Sequence, residues 1–168
     1  MLKSQIRYDD KSSVGYFAMA LKRVIGKDPV FFCIGSDKCV FDSLGPKVGT
    51  RLKERAKGSV IVYGVEGDTI MAKNLRKAYR AVRSVHPTST IVAIDAAVGD
   101  DVGFIRIIDR GIRPGAGAGK DLGIVGNESI LCITTKRPMY FVDDYDEIER
   151  LVNCAADTIA NAILLAVA

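Results

Sequence analysis

Tryptophan is absent from the 168 residues, histidine occurs once, and the four cysteines include no C-x2-C pair. Each scarcity removes a class of chemistry. Without tryptophan, and with few aromatics among the basic residues, single-stranded nucleic acid has little to stack on, so no nucleic-acid partner is expected. A Ser-His-Asp or Cys-His apparatus would have to use His86, and no nucleophile-elbow motif accompanies it. His86 stands beside Pro87 where a helical pattern ends, which reads as a helix terminus. A zinc site would lack nitrogen ligands and paired sulfurs, so no metal and no cofactor is expected from these residues. Cys33 and Cys132 fall in apolar strand-like runs and Cys154 in a helical one, which makes them small core residues. Met1–Lys11 is polar, so no secretory h-region opens the chain. The apolar stretch Ala155–Ala168 is broken by Asp157 and Asn161 and is too short to span a bilayer. The expectation is a cytoplasmic protein without membrane contact. The net charge of +4 is mild. Basic residues thicken over Lys47–Lys57 and Lys73–Arg83, which read as solvated helix faces, with a phosphate or acidic-partner surface as the second reading.

What is present is an alternation of apolar strands and amphipathic helices. Ser12-Ser13 can cap a helix over Val14–Ile25, stopped by Gly26. Val30–Ile34 reads as a strand, a helix follows from Pro46, and Val60–Tyr63 reads as a short strand. Asp68-Thr69 can cap a helix running to Ser84. Thr90–Ile94, Phe104–Ile108 and Ser129–Thr134 are further strands, and Asp143 or Asp144 begins the last helix. Strongly apolar strands between helices predict a sheet covered on both faces. The two strands around Phe104 and Ser129 have no helix between them, so the sheet is expected to be mixed. No internal repeat or second domain is apparent, so residues 1–168 read as one domain.

Two strands deliver carboxylates to the same edge of that sheet. Ile34 ends one, with Asp42 shortly after it, and Asp95 follows Ile94 at the end of another. Ligands and catalytic groups collect at the carboxyl ends of strands in open α/β sheets. Two close carboxylates cannot both ionise easily, so one keeps a proton and can polarise a carbonyl while the other takes a proton from water. Read from spacing alone, Asp42 is more simply a helix N-cap and Asp95 an acceptor supporting a loop. The loop Gly111-Ile112-Arg113-Pro114-Gly115-Ala116-Gly117-Ala118-Gly119-Lys120-Asp121 resembles a phosphate loop but fails on spacing. Pro114 stands where Walker A needs glycine, and Asp121 stands where it needs Ser or Thr. Its glycines instead provide unusual backbone angles or close backbone approach to an extended peptide, an anion or another loop.

Three blocks in order resemble a known family. Ile34-Gly35-Ser36-Asp37, four residues, then Asp42-Ser43-Leu44-Gly45-Pro46 is similar to the first motif of the YyaC-type sporulation proteins. Ile94-Asp95-Ala96-Ala97 and the Gly111–Leu122 loop resemble their second and third. The resemblance runs from about Val30 to Thr134. It extends to the core of the bacterial spore germination protease, an aspartate-dependent endopeptidase acting on small acid-soluble spore proteins. It implies the three-layer α/β/α sandwich of germination protease and the hydrogenase maturation peptidases, with a mixed, mainly parallel central sheet. It implies Asp42 and Asp95 as catalytic residues, with Gly35, Asp37, Ser43, Gly115, Gly117 and Gly119 binding a protein or peptide substrate. The maturation peptidases bind metal through acidic residues and a histidine, but His86 precedes Asp95 instead of following it, so that site is not implied here.

Two functions follow from these residues. The first is a sporulation-associated, peptidase-like hydrolase cutting an amide bond with the aspartate pair. The second is a non-catalytic module that keeps the fold and cleft to recognise a sporulation partner. A metal-dependent amidase using Asp37, Asp42 and Asp95 ranks third.

Overall fold

The computed structural model describes residues 1–116, 119–136 and 144–168. Six strands form one sheet: β1 (Leu2–Arg7), β2 (Val30–Cys33), β3 (Ile61–Tyr63), β4 (Ile91–Val98), β5 (Phe104–Ile108) and β6 (Glu128–Thr135). Their spatial order is β1-β5-β6-β4-β2-β3. The four strands β6, β4, β2 and β3 run parallel, while β5 joins β6 and β1 joins β5 antiparallel. The sheet is thus mixed and mainly parallel around its centre, as its apolar runs predict.

Side-chain alternation explains why the central strands are apolar on both faces. Phe31, Cys33, Val92, Ile94, Ile130 and Cys132 pack on one face against α1 (Val14–Lys22), α2 (Leu44–Arg55) and α4 (Tyr145–Val167). Val30, Phe32, Ile91 and Ala93 pack on the other against Leu75 and Val82 of α3 (Leu75–Val85). These are the three layers. Among the described residues the second face carries one helix, α3, over β2 and β4, while Asn127 bonds Ile91 of β4 and Arg110 bonds Ser129 of β6.

Several boundaries differ from the periodicity reading. The first turn is capped by Asp10, whose carboxylate accepts the N–H groups of Ser12 and Ser13, and α1 ends at Lys22. Asp68 and Thr69 cap nothing. Asp68 closes a tight turn back to Val65, and Ile70 is drawn out as a parallel bridge to Ile34. Asn74 then bonds the Met71 N–H at 2.8 Å and the Thr69 carbonyl at 2.9 Å, and α3 starts only at Leu75. β1 has no counterpart in the sequence reading because only Ile6 of its six residues is buried. The last helix starts from Asp144, whose carboxylate accepts the Glu147 N–H at 2.9 Å, while Asp143 lies outside the described residues.

By length and composition α4 could cross a bilayer, being 23 residues long with an 18-residue window of mean hydropathy 1.4. Its packing gives the reason for that composition. Leu151, Val152, Ala155, Ala156, Ile159 and Ile163 are buried against the sheet layer. Asp157, on the same helix, takes Arg51 at 2.9 Å and also Arg55, both from α2. These guanidinium groups belong to the basic stretch Lys47–Lys57, so part of that stretch is a helix–helix clasp.

Candidate active site

The residues after β2 are shaped by close backbone contacts. Gly35 has φ +143°, and a Cβ there would lie 2.1 Å from the Asp42 carbonyl oxygen. That approach lets the Ser36 N–H donate to the same carbonyl at 2.9 Å. Residues 35–42 therefore form a closed loop ending in a single 3-10 turn, Val40–Asp42. Ser43, almost fully buried, donates its hydroxyl to the Val40 carbonyl at 2.8 Å and makes no cap to α2. Asp42 is one residue too early to cap α2, and its side chain is free to face the cleft.

Asp95 lies inside β4, because that strand runs to Val98 instead of stopping at Ile94. It belongs to the β4 phase of Ile91 and Ala93, the face carrying α3. Only 8% of its surface is exposed, and its Oδ1 accepts the Ala96 N–H at 2.9 Å.

Asp42 and Asp95 line two chambers that meet at the pair. The larger, about 590 Å³, is bounded by Ile108, Arg110, Ile112, Arg113, Ala116 and Leu131. The smaller, about 260 Å³, is mostly apolar, with Phe41, Met71, Leu75 and Leu122 in its walls and Lys120 beside them. Ala96, Ala97, Val98 and Gly115 border both.

The environment separates the two carboxylates. Burial pushes the Asp95 carboxyl well above the usual carboxylate range, the charge of Asp42 pushes it further, and the Ala96 N–H draws it partly back. Burial also raises Asp42, but the Ser36 N–H and the positive Lys120 oppose that rise. Asp95 is the group that keeps a proton, and Asp42 is the group that gives one up.

Gly35 and Gly115 border the chambers with the pair. Asp37 does not: its Oδ2 accepts the Gly67 N–H at 2.9 Å, tying the loop to the turn after β3. Ser43 lies beneath the 3-10 turn, and Gly119 is exposed in a left-handed conformation at φ +72° outside both chamber linings. Gly117 lies outside the described residues. Lys120, Arg110 and Arg113 are site residues that the sequence reading passed over. In the sequence, Gly119-Lys120 reads as a failed phosphate loop and as part of the third family motif, with no role for Lys120 itself. Met71 and Leu75 carry no polar signal that could have marked them.

A family profile matches residues 5–162, nearly the whole chain. The chain belongs to that family, described as Protein of unknown function (DUF1256). A curated relative of this DUF1256 member is the uncharacterized protein YyaC of Bacillus subtilis (strain 168), 37% identical over 110 residues. The match covers 64% of this chain and 54% of that protein, so it spans about half the relative's length. The chain is a YyaC-type protein, in agreement with its three motifs. Among solved structures, the NiFe hydrogenase maturation protease HycI from Thermococcus kodakarensis KOD1 is similar with a TM-score of 0.53. The similarity covers 86% of this chain and 98% of that one at 19% identity. It establishes the fold, an α/β sandwich shared with a peptidase. The metal-binding set of the maturation peptidases does not fit the residues present. His86 ends α3, meets the Tyr63 hydroxyl at 2.9 Å, and borders neither chamber. Among the described residues no three His, Cys, Asp or Glu side chains gather as a ligand set.

Proposed function

We propose that this chain is a sporulation-associated, cytoplasmic, peptidase-like hydrolase that cleaves a protein or peptide amide bond with Asp42 and Asp95. The observation that carries this reading is the shared floor of the two chambers. There, buried Asp95 and half-buried Asp42 have proton affinities pulled apart by their different burial, by each other and by Lys120. A scissile amide lying across the pair has a chamber on either side for its flanking residues.

The chemistry balances without a cofactor. Ionised Asp42 takes a proton from water as the water oxygen attacks the amide carbon. Protonated Asp95 donates to the carbonyl oxygen and stabilises the charge that develops there. The tetrahedral intermediate collapses as the oxygen returns its proton to Asp95 and Asp42 delivers its own to the leaving nitrogen. The products are a carboxylic acid and an amine, and both aspartates regain their starting states. The Gly115 backbone borders the cleft on both sides of the pair.

The substrates to try first are small acid-soluble spore proteins, following the resemblance to germination protease. Wild type, Asp42→Asn and Asp95→Asn are incubated with an acid extract of spores, and new termini are read by mass spectrometry. Cleavage by wild type alone supports the pair; cleavage surviving either substitution removes it from the mechanism. Retention of a spore protein by all three without any cut assigns the cleft to a binding module instead.

A further inference from the structure

β4 outruns β2. β2 ends at Cys33, opposite Ile94, and the Ile34 N–H makes the last bond on that side, to the Ile94 carbonyl at 2.8 Å. The chain then turns off, with the Gly35 N–H on the Ile70 carbonyl at 2.8 Å. β4 continues to Val98, paired on its other side with β6. Strand alternation turns the N–H and C=O groups of Ala96 and Val98 toward the side that β2 has left. Gly99, in the opposite phase, sends its N–H to the Thr135 carbonyl at 3.0 Å.

Asp95 Oδ1 takes the Ala96 N–H. Among the described residues the Ala96 carbonyl and the Val98 N–H have no partner. Both residues are half-buried and border both chambers. An acceptor and a donor two residues apart on one strand edge are the pair that a single residue of a parallel neighbour engages. The walls suit such a neighbour. Met71, Leu75 and Leu122 stand on the α3 side. Phe41, stacked on Tyr145 of α4 with ring centroids 6.1 Å apart, stands opposite.

We propose that the substrate binds as an extended strand added to the β4 edge at Ala96–Val98, parallel to β4 and continuing the line of β2. One of its residues donates its N–H to the Ala96 carbonyl and accepts the Val98 N–H. This deepens the peptidase reading, and rests on it for what enters the cleft. Recognition through the main chain selects unfolded or extended segments over helical ones, and the apolar walls sort side chains only secondarily.

The test uses the full chain carrying Asp42→Asn, mixed with a library of short capped peptides, with amide exchange followed by NMR. Bound peptides should slow Val98 amide exchange about tenfold or more, as burial of a bonded amide does. Val98→Pro removes that donor and should weaken binding about tenfold, against about twofold for Val98→Ala. Peptides that bind with Val98 exchange unchanged, no bound peptide at all, or a folded Val98→Pro protein binding as well as Val98→Ala, each overturn strand addition. If Val98→Pro does not fold, the exchange measurement on the Val98 protein decides alone. Val98 protection by peptides that the Asp42 protein never cuts keeps strand addition and removes amide hydrolysis. Cutting of peptides that leave Val98 unprotected does the reverse.

Discussion

Asp42 raises the proton affinity of Asp95, while Lys120 holds down that of Asp42. For the proposed hydrolysis, the working form of the pair is therefore Asp95 protonated with Asp42 ionised. Activity should rise with pH as Asp42 loses its proton, at a pH above its usual value of 3.8 because burial lifts it. It should fall again at higher pH as Asp95 ionises. Lys120→Met removes the charge that favours ionised Asp42, so the acid limb should move to higher pH, by up to about one unit. A pH profile of kcat/KM for both proteins checks this; an acid limb that stays in place assigns Lys120 no influence on Asp42.

The same burial makes Asp95 a liability for stability. Its folded-state pKa lies above the unfolded one, so the native protein holds a proton that the unfolded chain has released. Stability consequently falls as pH rises through the interval between the two values, and the cost is absent below the unfolded one. Asp95→Asn cannot ionise and should escape this fall. Its Tm should exceed that of wild type at pH 7, by the equivalent of on the order of 1–2 kcal/mol, and the gap should close towards pH 4. Thermal melts at the two pH values measure it; a lower Tm for Asp95→Asn at pH 7 would mean that the carboxylate is structurally required.

Much of this arrangement was legible in the chain itself. The unbroken apolar runs at Val30–Ile34 and Ile91–Ile94 dictate strands covered on both faces, and the missing helix between Phe104 and Ser129 dictates an antiparallel step in the sheet. Asp42 and Asp95 could be placed at one edge because both follow such runs. Illegible were features that depend on distant partners. Ile70 looks like the inner face of a helix until Ile34 draws it into a bridge. Leu2–Arg7 buries only Ile6, so no period marks it, and Phe104–Ile108 alone supplies its register. Asp95 reads as the end of a strand because the half-buried Ala96–Val98 owe their extended form to β6.

Asp37 offers a separation between binding and scaffolding. Its carboxylate holds the Gly67 N–H, so Asp37→Asn keeps an acceptor oxygen and should leave kcat/KM within about twofold of wild type, whereas Asp37→Ala leaves that N–H to water and loosens the loop carrying Asp42. The alanine variant should lower kcat/KM about five- to tenfold and Tm by a few degrees. Steady-state kinetics with melts on both variants decide it. A large loss in Asp37→Asn with unchanged Tm would show that the carboxylate charge itself meets substrate.

The contact between α2 and the end of β2 should tolerate no added side chain. A Cβ on Gly45 would lie 2.0 Å from the Ile34 carbonyl oxygen and 2.7 Å from its nitrogen, both backbone atoms fixed by the sheet. Gly45→Ala must therefore push the start of α2 away from β2, at about 1–3 kcal/mol, and carry the adjacent 3-10 turn with it. Gly15 gives the internal control, since it lies inside α1 with no heavy atom within 4 Å of an added Cβ. Gly15→Ala should stabilise by about 0.5–1 kcal/mol, because alanine loses less backbone freedom in a helix. Urea unfolding should move the midpoint down for the first and up for the second at constant slope. Under the proposed aspartate-pair mechanism, cleavage should fall only in Gly45→Ala, because displacement of α2 would carry Asp42 away from Asp95.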